Sequence, residues 1–490
     1  MGRLTDRITF VSIASITLGC GSAALWLTRS FSPLRGDSSG YLYFDPTRTV
    51  GYPAFLELVR LVFGKVAFAV PVQMLILAVS LICLGWSFHR RFERPLFTIA
   101  FQLLLVANAG MWFASAFLMT EAIATALIAL WLAEALRSSS QPGRQSRWLV
   151  AIPCLAIMVR PSLMPLCFGS ALLVPSGRSA PDRTKALVML GAGLFGAWAA
   201  TPLAQLLVHG STYTTSPFAR GVLQHTLYCD PGARPNGPDA AFVEAAAGRA
   251  RQYIDAAPPA LHEQLRREYS TPLRFGVIIP VLGRRHHLDM GSQLDPYLTP
   301  IAEERVRANP GCYAHSVAGE YVRLAIFETD PSAGEAREVN AFIKQHPPVE
   351  FAEYPVLPGD DRLARRAGLE VNRAPAGINP QRQRLHVAGA LPMLALLPFR
   401  IVYAGAALVG VVAIVGLFWI SRLPRDLQPI VTIAAALGAT FHGILLITAI
   451  VEIGFYRYLV PCWPIVCTLI GLSAVALRYR AHSRLRAGQD

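Results

Sequence analysis

The stretch "FLMTEAIATALIALWLAEAL", Phe117 to Leu136, is apolar almost throughout, with carboxylates only at Glu121 and Glu134. A helix of that length rises about 30 Å, the thickness of a bilayer's hydrocarbon core. Runs of this kind recur along the chain and decide its class. Ten candidate spans lie near residues 8–29, 66–88, 95–113, 117–136, 148–160, 162–175, 186–208, 401–420, 428–450 and 459–477. The fifth and sixth are short and separated only by "VRPS", so they read either as two tilted half-length helices or as one broken helix.

Composition agrees. Of 490 residues, 53% are hydrophobic and only 16% charged, well below the quarter usual in soluble domains. The expected fold is an all-α polytopic membrane protein of about ten transmembrane helices. Residues 1–208 form a seven-span module with an external loop at 30–65, 209–386 an inserted, mainly helical extracytoplasmic domain, and 387–490 a closing block of three spans. Val387–Phe399 is too short and proline-broken to span, and reads as interfacial.

Basic residues fix an expected orientation. Arginine and lysine cluster at 3–7, 90–94, 137–147, 178–185, 422–425 and 478–486, which places both termini in the cytoplasm. In the 209–386 segment acid and base balance, so the net charge of +14 belongs chiefly to the cytoplasmic edge. That pattern is a topology signal and a contact for anionic lipid, and it does not point to nucleic acid. Six of the eight cysteines fall in apolar spans, while Cys229 and Cys312 stand alone in the large loop. An isolated pair in an oxidising compartment suggests a disulfide, although spacing cannot show that the two meet.

Charges at membrane depth are costly, so each is a functional candidate. Asp37, Asp45, Arg48, Glu121, Arg160, Arg400, Glu452 and Arg457 fall at the external ends of spans, whereas Glu134 falls at a cytoplasmic end and reads as a solvated carboxylate. Carboxylates and arginines gathered at one face suit an anionic lipid head group: the guanidinium fork pairs with phosphate and a carboxylate serves as general base. Asp37 follows a helix end and a glycine in "RGDSSGY", whereas Asp45-Pro46 reads as a turn former, so Asp37 ranks first as catalytic carboxylate. "TVGYPAFLELVRLVFG" then resumes an amphipathic pattern, with Phe55, Leu58, Val59 and Val62 on one face of a surface helix. His442, mid-span, reads first as a hydrogen-bonded packing residue. No CxxC, HExxH, GxSxG, P-loop or nucleotide-binding glycine pattern occurs.

Four stretches together resemble the GT-C superfamily of integral-membrane glycosyltransferases. They are the early external aspartate with "GYPAFL", "FLMTEAIATALIALWLAEAL" with Glu121 at its external end, "LAIMVRPSLMPL", and "FYRYLVPCWPIV" leading into the last helix. The resemblance covers the membrane part and leaves 209–386 out. It implies transfer of a sugar from a polyprenyl-phosphate donor, hexosyl or arabinofuranosyl, with inversion. Asp37 would be the general base, with Glu121 beside it to orient the acceptor or an arginine. Arg160, Arg457 and Tyr458 would hold the donor phosphate, and Tyr41, Arg48 and Tyr52 would shape the sugar and acceptor pocket. It also implies no required cofactor, leaves a divalent cation open, and points to a glycan, lipid or protein acceptor at the periplasmic face of a bacterial inner membrane. An O-antigen ligase or polymerase, a lipid-linked-sugar flippase and a non-catalytic envelope scaffold working through the large loop are the alternatives. The flippase predicts mid-membrane charges or repeated halves, and no repeat is seen.

Overall fold

The structure is a computed structural model that describes residues 2–29, 33–34, 38–45, 48–140, 147–173, 180–210, 218–229, 237–266, 278–287, 294–326, 399–451 and 459–487. The described residues contain helices and no strand. In chain order the principal helices are α1 (Gly2–Thr28), α2 (Gly51–Phe63), α3 (Ala69–Phe92), α4 (Pro95–Val106), α5 (Ala109–Ala114), α6 (Glu121–Ser140), α7 (Trp148–Val159), α8 (Pro165–Leu173) and α9 (Ala180–His209). They continue as α10 (Phe218–Thr226), α11 (Pro238–Asp255), α12 (Ile279–Arg285), α13 (Asp295–Ala308) and α14 (Pro310–Ala325). The last three are α15 (Phe399–Arg422), α16 (Gln428–Val451) and α17 (Trp463–Ala487).

Seven of these are long and apolar enough to cross a bilayer: α1, α3, α6, α9, α15, α16 and α17. All ten apolar runs carry helix, but among the described residues α4, α7 and α8 are shorter apolar helices, so seven and not ten reach spanning length. The breaks have local causes. Residues before proline avoid the α region, and Arg160, ahead of Pro161, is extended at φ −154°, ψ 112°. The "VRPS" segment is thus a break between two half-length helices. Likewise Asn108 leaves the helix and caps α5, its side chain accepting from the Met111 N–H at 3.1 Å.

α6 is the hub. It packs against α3, α7 and α17, and its face around Trp131, Leu132 and Leu136 is fully buried. The polar handles of the core tryptophans are satisfied, Trp131 donating to Ser170 Oγ at 2.8 Å and Trp463 to the Leu105 carbonyl at 2.9 Å. α1 and α9 lie outside this hub and keep wide apolar faces exposed, including Leu4, Ile8, Trp26, Val188, Phe195 and Trp198. Such faces suit lipid contact beside helices long and apolar enough to span. Glu134 is not the solvated carboxylate its sequence position suggested: it is buried and paired to Arg137 at 3.1 Å, because α6 holds that turn against its neighbours.

The bundle has two chemically distinct ends. At one, Asp6 pairs with His89 and Arg90, and Tyr479 donates to Asp426. At the other lies the segment 38–63, anchored through Tyr52 to Gln73. Gln73 and His89 share α3 and are sixteen residues, or about 24 Å, apart along it.

Between α9 and α15, helices α10 to α14 enclose a separate small core of Leu223, Val243, Ala247, Leu282 and Leu298. Helix α13 ends at Asn309, whose side chain accepts from the Cys312 N–H and starts α14. Cys229 and Cys312 form a disulfide with Cα atoms 5.9 Å apart, closing a loop of sequence separation 83. Replacing both with alanine should lower the unfolding free energy of this unit by about 2–5 kcal/mol. Thermal unfolding of the purified protein, followed beside a reducing-agent control, would read that loss; an unchanged midpoint would assign the clasp to packing alone.

This unit does not hang free of the bundle. α14 packs along α16, Leu324 joins the main core with Tyr321 and Val317 against it, and Tyr321 Oη lies 2.6 Å from His442 Nδ1. His442 Nε2 meets the Ala407 carbonyl at 3.0 Å. Both ring nitrogens are thus occupied, in agreement with a packing histidine.

Candidate active site

The described residues of the segment between α1 and α3 are tied down at several points. Ser38, the residue after Asp37, is fully buried and its hydroxyl donates to the Leu118 carbonyl at 3.0 Å, three residues ahead of Glu121. The Asp45 carbonyl accepts from the Arg48 N–H at 2.8 Å, closing the turn that Asp-Pro initiates. α9 holds the same turn from the side: Gln205 Nε2 donates to the Phe44 carbonyl at 3.2 Å, and His209 Nε2 lies 3.1 Å from it. Thr49 Oγ1 then donates to the Val159 carbonyl at 3.1 Å, so a single hydrogen bond joins the neighbours of Arg48 and of Arg160.

Two glycines permit this closeness. A Cβ on Gly51 would stand 2.7 Å from the Met158 carbonyl carbon and oxygen, where no side chain fits. A Cβ on Gly40 would stand 2.7 Å from Arg48 Nε, so the bare backbone leaves room for the guanidinium. Arg48 accordingly lies over the Tyr41 ring, 4.6 Å from its centroid, with Nη1 3.4 Å from the phenol oxygen.

α2 is the helix that the amphipathic pattern predicts. Its protein-facing residues are Tyr52, Leu56 and Val59, while Leu58, Leu61 and Val62 are exposed. Of the expected face of Phe55, Leu58, Val59 and Val62, only Val59 is buried. The helix carries two apolar stripes, and the one closed over the bundle begins at Tyr52. That residue is fully buried, edge-on to Tyr41 at 5.1 Å, and its hydroxyl donates to Gln73 Oε1 at 2.9 Å. Gln73 Nε2 in turn donates to the carbonyls of Ser115 and Phe117 at 2.7 and 2.6 Å. Tyr52 is therefore a prop that holds the strand of chain leading into Glu121. Burial, with the neighbouring Tyr41 and Glu121 acting the same way, pushes its phenol well above the usual range and keeps it a neutral donor.

The centre of the site is an ion pair. Arg160 Nη1 lies 3.4 Å from Glu121 Oε1, and the two side chains are 10% and 3% exposed. Arg160 Nε donates to Ser162 Oγ at 3.2 Å. The other carboxylate oxygen, Glu121 Oε2, is buried and has no hydrogen-bond partner among the described residues. Buried charged oxygens are rarely left unmade, so this acceptor is placed for a donor from beyond the described residues. Arg160 also lies within electrostatic reach of Cys462 at the head of the last span, adjoining Leu459, whose carbonyl accepts from Tyr403 at 2.9 Å.

Tyr41, Arg48, Tyr52, Glu121 and Arg160 are thus brought to one end of the bundle. Asp37, Glu452, Arg457 and Tyr458 lie outside the described residues. Sequence reading missed Ser38, Thr49 and Gln73. Of these Gln73 had a signal, a lone amide inside an apolar run, since an unsatisfied polar group there is expensive. Among the described residues no group of three or more His, Cys, Asp and Glu side chains could hold a metal ion.

No family model matches the chain, and neither does any curated protein or solved structure. The site must therefore be read from its own chemistry.

Proposed function

We propose that this protein is an inverting glycosyltransferase of the bacterial inner membrane. It would take a sugar from a polyprenyl-phosphate carrier and attach it to a hydroxyl of an envelope glycan, lipid or protein at the periplasmic face. In this reading Asp37 accepts the proton of the acceptor hydroxyl, and that oxygen forms a bond to the anomeric carbon from the face opposite the phosphate. The anomeric carbon–oxygen bond to phosphate breaks, and its electron pair leaves on polyprenyl phosphate.

One observation carries the reading: a buried arginine, tied to a carboxylate that keeps one oxygen open, stands beside an arginine–tyrosine pair at a single end of an apolar bundle. A phosphate leaving group needs charge stabilisation more than protonation. A guanidinium held in a water-poor site supplies that stabilisation without reorganising during the reaction. Arg160, with Arg457 and Tyr458, takes this part. Glu121 Oε2 receives a hydroxyl of the sugar or acceptor, and Arg48 with Tyr41 lines the sugar. Tyr52, closed off by Gln73, supports the site without touching the substrate.

Binding tests the donor half. Polyprenyl phosphate added to protein in nanodiscs should be retained and displaced by polyprenyl-phosphate sugars, and Arg160→Gln should weaken retention by roughly tenfold or more, the worth of a charge-assisted hydrogen bond. Equal retention by the variant would remove Arg160 from the phosphate site.

A further inference from the structure

Outside the bundle, the disulfide-closed unit holds a cavity of about 450 Å³ lined by Tyr228, Arg251, Ile254, Asp255 and Arg266. That volume lies in the range of small-molecule sites. The floor is rigid, because Tyr228 adjoins Cys229, which is bonded to Cys312. Arg251 is already committed: Nη1 donates to the Leu227 and Cys229 carbonyls at 3.2 and 3.0 Å, and Nη2 to Glu244. The same Glu244 carboxylate takes Arg305, which also donates to the Thr226 carbonyl at 2.6 Å. These two arginines close the carboxyl end of α10 and leave little for a ligand.

The remaining polar groups are uncommitted. The Tyr228 hydroxyl is buried without a hydrogen-bond partner, and among the described residues Arg266 and Asp255 form no ion pair with each other or with any neighbour. Burial pushes the Tyr228 phenol upward against the pull of Arg266, so it remains a neutral donor. The cavity therefore presents a guanidinium fork, a carboxylate, a phenol and the apolar wall of Ile254. Each has a natural counterpart: a planar or tetrahedral anion for the fork, neighbouring hydroxyls for the carboxylate, and an ether or hydroxyl oxygen for the phenol.

We infer that this cavity binds an acidic sugar unit, a saccharide ring bearing a carboxylate or a phosphate, with the anion on Arg266 and ring hydroxyls on Asp255. The inference stands on the cavity alone and does not depend on the transferase reading. Its test reads binding and not turnover, so the two can fail separately.

Full-length protein in nanodiscs would be titrated with D-glucuronate, D-glucose 6-phosphate, D-glucose and glycine by calorimetry. At least one of the two acidic sugars should saturate, roughly tenfold or more tighter than glucose, which lacks the charge-assisted contact. Which of them binds tells carboxylate from phosphate. Arg266→Gln should erase that preference and Tyr228→Phe should weaken binding by roughly two- to tenfold. Arg307→Gln, which loses only an exposed pair with Glu303, should leave it unchanged. Arg266 is exposed, so its variant is expected to fold, and an unchanged unfolding midpoint checks this. Glucose binding as well as the acids, glycine binding tighter than any sugar, no saturation by either acid, or an unaffected Arg266→Gln would each overturn the assignment.

Discussion

Arg160→Met is expected to cost the fold about 3–5 kcal/mol, because it strands the buried Glu121 carboxylate without its cation. The partner is nearly inaccessible, and its second oxygen already lacks a hydrogen bond. Among the described residues Arg160 is the only cation paired with Glu121. Unfolding of the purified protein in nanodiscs would measure the loss. The double variant Arg160→Met with Glu121→Gln sharpens the result, since removing both charges of a buried pair is often nearly neutral. Stability should then return to within about 1.5 kcal/mol of wild type, the worth of one ordinary hydrogen bond, while polyprenyl-phosphate retention should not return. Recovery of both would make the pair a packing device and nothing more. A single variant as stable as wild type would show that Glu121 is not held charged against Arg160.

Asp37→Asn should lower turnover by about 10²–10⁴-fold, the usual contribution of a positioned general base. The amide keeps the shape of the carboxyl and cannot accept a proton. Donor affinity should barely change, because the proposal gives the phosphate grip to the arginines, so kcat falls while KM stays. The pH profile separates this from a structural defect. A protonated carboxyl cannot take the acceptor's proton, so wild-type turnover should fall as the medium becomes acid, and the residual activity of the variant should lack that limb. A fall in kcat with the acid limb intact would place the base elsewhere. Ser38, the next residue, is fixed to the Leu118 carbonyl, so the substitution has a well-anchored neighbour on one side.

The apolar runs made the all-helical membrane fold legible, since any polar-free stretch of such length has few other solutions. Their continuity was less legible. Hydropathy counts residues, whereas Pro161 and Asn108 decide where a helix stops. Individual charges were visible as costly residues, and Glu121 and Arg160 were singled out on that ground. Their pairing across thirty-nine positions is tertiary, and no local pattern encodes it. α2 shows the limit most clearly. Both of its stripes are apolar, one suited to lipid and one to protein, so periodicity gives a helix but not which face closes on the bundle. Tyr52 belongs to the stripe closed over the bundle, where its hydroxyl meets Gln73. The docking of α14 on α16 through Tyr321 and His442 was equally hidden, because it joins residues 121 positions apart and no local pattern encodes it.

The central claim is that the external end of this bundle moves sugars off lipid phosphate. Purified protein in bilayers, given a panel of synthetic polyprenyl-phosphate hexoses and pentoses with an envelope-derived acceptor extract, should release polyprenyl phosphate from at least one of them. The product should carry the inverted anomeric configuration, and Asp37→Asn should abolish most of that release. If no polyprenyl-phosphate sugar in the panel is consumed, or if Asp37→Asn releases lipid phosphate as fast as wild type, the account is contradicted.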